Sequence, residues 1–164
     1  MTTTAALLRV NYCGSSSTHG VLEAVTPTYA TDRPFARSRV NKPLREWATG
    51  TSSAAFRAFE WRRTGDTENP NVLDPSSRLT IETYTITVAY PDLPLLYGGS
   101  DVLSIEDVVR SDAHQLRDAL LSPGNLIAGC QCVMPTISAP ERGDGIWFQD
   151  LVCEITYYES QTLT

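Results

Sequence analysis

The chain has 164 residues, 41% of them apolar and 20% charged, with 13 Lys+Arg against 19 Asp+Glu and a formal net charge of -6. That length suits one domain, and the balance is that of a chain able to bury a core without help from disulfides or metal. No apolar run approaches the ~20 residues of a membrane-spanning helix, and MTTTAALLRV at the start does not read as a secretory signal.

The charge is unevenly placed. Residues 1–65 hold nine basic and four acidic residues, net +5, whereas residues 66–164 hold four basic and fifteen acidic, net −11. Twelve of the thirteen cations are Arg, the exception being Lys42. Arg is the cation suited to interfaces, because its planar fork binds carboxylates through two parallel hydrogen bonds. Such a split fits a nucleic-acid arm, a subunit whose two faces attract each other, or simple local ion pairing.

Residues 1–54 contain Ser15–Thr18, Pro27, Pro34 and Pro43 and no sustained period, so they read as an extended arm with a short helical piece near Leu7. A structureless segment of that length is unusual in a compact domain, which makes it the expected place for intersubunit contact. The chain therefore divides into an arm, 1–54, and an α+β domain, 55–164. From Ala54 a strand carries Phe56, Phe59 and Trp61 and ends in a turn at Thr64-Gly65-Asp66, before a polar loop to Ser77. Arg78–Tyr90 (RLTIETYTITVAY) is rich in residues that fit a pleated sheet. Tyr84, Ile86, Val88 and Tyr90 share one face, while Leu79 and Ile81 fall on the opposite parity and suggest a bulge or a burial switch along a long strand. Pro91 and Pro94 end the strand.

Ser104–Leu121 is the clearest helix. Ser104 and Asp107 have capping-box spacing, and Ile105, Val108, Val109, Leu116, Ala119 and Leu120 form one apolar stripe. Asp112, Arg117 and Asp118 fall largely outside that stripe, and Pro123-Gly124-Asn125 stops the helix. Residues 126–139 read as a strand interrupted by Pro135, hence an edge or a break. Glu141–Gly145 reads as a turn. In the closing strand, Ile146–Glu159, Trp147, Leu151, Cys153, Ile155 and Tyr157 alternate with Phe148, Asp150, Glu154, Thr156 and Tyr158. The expected fold is α+β, a mixed or antiparallel sheet with one main helix packed on a face, plus the N-terminal arm.

Cys130 and Cys132 have C-x-C rather than zinc-knuckle spacing, and Cys132 and Cys153 suit core positions on neighbouring strands as reduced thiols. Nothing matches a nucleophile elbow, a P-loop, a dinucleotide fingerprint or an EF-hand. Gly98-Gly99-Ser100 lacks the lysine of a phosphate cradle. Asp101, Glu106, Asp107 and Asp112 read as capping and solvation, and His114 as a surface or boundary residue. No catalytic residue, cofactor or metal is assigned. Arginines interleaved with Phe35, Trp47, Phe56, Phe59 and Trp61 raise nucleic-acid binding, which a pI near 4.8 argues against for a free-standing protein.

Three segments in order carry a resemblance: YTITVAYP (Tyr84–Pro91), SIEDVVRSDAHQLRDAL (Ser104–Leu120) and WFQDLVCEITYYES (Trp147–Ser160). From Arg57 to Glu159 the chain resembles the tail terminator (tail completion) proteins of long-tailed bacteriophages. Residues 1–54 depart from that pattern, since no N-terminal amphipathic helix is legible there. The resemblance implies a non-enzymatic virion protein of the neck, assembled in the host cytoplasm. It implies a homo-oligomeric ring, a hexamer, that caps the tail tube, ends its polymerisation and offers the head-docking surface. Implied partners are the tail tube protein and the head–tail connector, with passing contact to DNA in the lumen and none to a membrane. A connector or a tail tube subunit of the same particle is the alternative, and a small ligand-binding or enzymatic α+β domain the second. The expected subunit interface comprises Arg33, Arg37, Arg39, Arg57, Arg62, Arg63, Asp107, Asp112 and Asp118, with Arg57, Arg62 or Arg63 facing Asp112 or Asp118 across a subunit boundary.

Overall fold

A computed structural model describes residues 4–70, 77–93, 96 and 104–160. Their order is α1 (Thr4–Cys13), β1 (Ala36–Arg37), α2 (Leu44–Trp47), β2 (Ala58–Pro70), β3 (Ser77–Pro91), α3 (Ile105–Leu121), β4 (Cys130–Ile137), β5 (Glu141–Gly143) and β6 (Ile146–Ser160). The described strands form one six-stranded sheet ordered β1-β2-β3-β6-β4, with β5 also pairing β6. β1 runs parallel to β2 and every other pairing is antiparallel, so the sheet is mixed and the fold α+β.

β3 lies at the centre and explains the alternation in its sequence. Trp61, Ile86 and Leu151 line up across three strands, as do Arg63, Tyr84 and Cys153. One face of β3 buries Tyr84, Ile86, Val88 and Tyr90 under α3 and α1. Of the bulge and the burial switch expected at Leu79 and Ile81, β3 shows the switch, with its pairing to β6 unbroken. Leu79 and Ile81 lie half-buried on the other face, and the core face at that end takes Thr80 and Glu82 instead. The irregularity belongs to β2, whose register shifts between Arg63 and Gly65. Thr64-Gly65-Asp66 is thus a β-bulge and not a turn, and β2 continues to Pro70. Pro94 and the Gly98–Ser100 and Asp101 positions lie outside the described residues.

Helix α3 begins as its capping box requires. The Ser104 hydroxyl accepts from the Asp107 N–H and the Asp107 carboxylate accepts from the Ser104 N–H. Val108, Val109, Leu116 and Leu120 are buried against the sheet, each burial worth about 1.5–3 kcal/mol. Asp112 is buried with them, inside the apolar stripe rather than beside it.

The extended arm is not what residues 4–54 form. Helix α1 buries Leu8 and Tyr12, one turn apart, and Tyr12 stacks on Trp61 with ring centroids 5.0 Å apart. Leu22 and Phe35 enter the same core cluster as α3 and the sheet. α1 ends at Gly14, whose N–H reaches the Val10 carbonyl at 2.8 Å with φ +72°. The chain then folds back so closely that a Cβ on Gly20 would lie 2.2 Å from the Gly14 nitrogen. Leu44, Ala48 and Ala55 form a second, smaller cluster with Ala58, Ala89, Ile146 and Phe148, covering one end of the opposite sheet face.

Among the edge strands, β4 carries Pro135 between the register positions Val133 and Thr136, where its pairing with β6 shifts. The Glu141–Gly145 turn is a short hairpin: β5 pairs β6, and Asp144 and Gly145 turn the chain with φ +47° and +74°. Among the described residues no helix is long and apolar enough to cross a membrane.

Candidate functional site

Arg57 sits just before β2 with φ +58°, and its side chain turns into the protein with no solvent exposure. Its five N–H donors make five hydrogen bonds. Nε and NH2 reach the Asp112 carboxylate at 2.6 and 3.0 Å, NH1 reaches the Ala30 and Arg33 carbonyls at 2.8 Å each, and NH2 also reaches the Tyr29 carbonyl at 2.6 Å. The guanidinium carbon lies 5.0 and 5.5 Å from the Phe56 and Phe35 ring centres. Burial raises the Asp112 carboxyl above the ordinary range, and the bonds from Arg57 and the Tyr90 hydroxyl act against that shift. Arg57 and Asp112 do pair, but within one chain. Neither exposes surface for a partner, so both leave the expected interface: a buried charge is tolerated only when paired and hydrogen-bonded, and this pair ties the 29–33 loop, β2 and α3 together.

The other expected residues scatter. Arg33 approaches Asp32 at 3.7 Å on the surface. Arg62 pairs with Glu60 on its own strand at 2.8 Å, and Arg117 occupies Asp118 at 3.0 Å. Asp107 is committed to the α3 cap. Arg63 reaches inward at 2.8 Å to Glu82, which is buried and also accepts a hydrogen bond from the Tyr84 hydroxyl. Within the chain Arg33, Arg62 and Arg63 pair with Asp32, Glu60 and Glu82, and not with Asp112 or Asp118.

Arg37 and Arg39 differ, because neither has a carboxylate within ion-pair distance among the described residues. Of the thirteen cations, nine are paired in this way. The remaining four are Arg9, Arg37, Arg39 and Lys42. Arg9, Arg37 and Lys42 come from α1, β1 and the segment before α2, and line one cavity of about 160 Å³ with Ser38, Glu60 and Trp61. A neighbouring cavity of about 450 Å³ shares Arg9 and Trp61 with it and adds Arg62, Arg63 and Tyr84. The structure therefore gathers Arg37, Arg62 and Arg63 around Trp61 and brings in Arg9 and Lys42, which the sequence reading did not single out. The signal available was the excess of positive charge before residue 65.

The four cysteines are free thiols. Cys132 and Cys153 do sit on the neighbouring strands β4 and β6, with their thiols hydrogen-bonded to each other, a contact that lowers Cys132 and raises Cys153. Burial pushes the Cys13 thiol up to about 12, with Arg37 and Arg9 acting in the other direction. His114 is exposed on α3. Among the described residues no three His, Cys, Asp or Glu side chains group as metal ligands.

A third surface is the open sheet edge. β1 pairs with β2 only at Ala58 and Phe59, so β2 beyond Glu60 has no neighbouring strand on that side among the described residues. β4 likewise has none on its outer side among the described residues. No protein-family model matches the chain, and no curated protein matches it in sequence.

Proposed function

We propose that the chain is a non-enzymatic ring subunit of a phage neck, one that caps the tail tube, ends its growth and presents a head-docking surface. The observation that carries this reading is the pair of open edges. Strands β2, β3, β6 and β4 alternate in direction, so β2 and β4 run oppositely at the two ends of one sheet. A second copy set beside the first with the same polarity brings its β4 antiparallel to the first copy's β2. Two different, complementary edges make a heterologous contact, and repeated rotation closes such contacts into a ring. The helix α1 also supports the reading, since an N-terminal helix is what the resemblance leads one to look for. Exposed Leu7 and Val10 on its outer side add apolar surface for a neighbour.

Light scattering after size exclusion tests the proposal, on the chain alone and with tail tubes. A finite assembly near six times 18.0 kDa, alone or on tube ends, is expected. A single-subunit mass under both conditions overturns it. Growth into filaments assigns the same two edges to a tube subunit instead.

A further inference from the structure

We propose that the cavity lined by Arg9, Arg37 and Lys42 is an anion site that takes a phosphate group. The inference stands apart from the ring reading, because it rests on the charge inventory of a single chain. Among the described residues nine of the thirteen cations have a carboxylate within 4.0 Å, and three of the four without one converge on this cavity of about 160 Å³. Three segments deliver them, so the convergence is a product of the tertiary fold and not of one basic run.

The cavity's own carboxylate does not neutralise them. Glu60 is engaged by the Leu44 N–H at 2.8 Å through one oxygen and by Arg62 at 2.8 Å through the other. Arg37 is held in place, with NH1 on the Gly14 carbonyl at 3.3 Å and its backbone N–H on Glu23 at 3.1 Å, which fixes the position of one charge. The Ser38 hydroxyl oxygen accepts from the Trp47 indole at 3.0 Å, so its hydrogen is left to donate. The positive potential is felt nearby, where Arg37 and Arg9 both favour the Cys13 thiolate against its burial.

Three cations and a hydroxyl donor from three segments, lining one small cavity, suit a multiply charged oxyanion better than a singly charged carboxylate. The cavity admits a phosphate group with water around it and is too small for a whole nucleotide. The phosphate belongs either to free inorganic phosphate or to a nucleic-acid backbone passing the surface, and the experiment separates the two.

The full chain, in phosphate-free buffer at low salt, is titrated with inorganic phosphate and separately with a short DNA duplex while amide and indole NMR shifts are followed. Saturable shifts at Ser38 and Trp61 are expected, with binding weakened about tenfold or more in Arg9→Gln/Lys42→Gln, two exposed positions. Arg37→Gln should weaken it similarly, and the double variant decides should that chain fail to fold. The same shifts with the duplex, falling steeply with salt, assign the phosphate to nucleic acid. Shifts with inorganic phosphate alone assign it to the free ion. Absence of saturation with either probe, equal binding by the double variant, or saturation by acetate that phosphate does not displace overturns the proposal.

Discussion

Arg57 and Arg37 come from the same basic half of the chain and have opposite fates. Arg57 is sealed from water with every donor used, and its charge holds a loop, a strand and a helix in one arrangement. Arg37, with Arg9 and Lys42, reaches a cavity whose lining carboxylate, Glu60, is already held by Arg62. The difference teaches that excess positive charge in a sequence is two populations, one spent on architecture and one left over. Only the second is available to a ligand or partner.

The sharpest way to break this contrast is at Arg57. Arg57→Met should destabilise the fold by about 3–5 kcal/mol, because it strands the buried Asp112 carboxylate. Arg57→Met combined with Asp112→Leu should cost clearly less than the two single changes added together, as a denaturant double-mutant cycle would measure. Additive costs would mean that the pair is not the unit described.

A smaller effect is expected at the start of α3, the helix that carries Asp112. Ser104→Ala should cost about 1 kcal/mol at neutral pH. The Ser104 hydroxyl, and then its N–H, hold the Asp107 carboxyl below its ordinary value of 3.8. A depressed carboxyl contributes stability that is complete above the ordinary value and disappears as pH falls through the lowered one. The stability gap between the variant and the parent should therefore narrow as the pH falls below the ordinary carboxyl range, and a gap that stays constant throughout an acid titration would contradict the cap's electrostatic share.

The smallest change is expected at the leftover cations. Arg9→Gln/Lys42→Gln should alter stability by no more than about 0.5 kcal/mol, read from the same denaturation curves. A large loss would mean that these residues, too, belong to the architecture.

Much of the fold was legible from local pattern. Ser104 and Asp107 announce α3, the alternation in β3 and β6 assigns their faces, and Pro135 marks β4 as an edge. What stayed hidden depended on tertiary pairing. Leu7, Leu8 and Val10 make α1 apolar on more than one side, so no stripe reveals which side is buried, although Gly14 marks its end. Gly65 serves a turn or a bulge equally well, and only pairing with Thr83 decides for the bulge. The attraction between Arg57 and Asp112 was readable from chemistry, yet nothing in the residues said that the two ends of the pair share one chain. Arg9 and Lys42 carry no motif, and their meeting with Arg37 follows from three segments closing on Trp61.

The interruptions in the two open edges have a consequence for fidelity. An unbroken, flat edge accepts almost any extended strand in many offsets, which is how misassembly and fibrils begin. Here one edge is stepped at Gly65 and the other at Pro135, so sliding a strand along either puts a kink against a straight stretch. In the proposed ring the two steps would act like the cuts of a key, seating a strand with the matching offset along its length and leaving a stray one no register that holds.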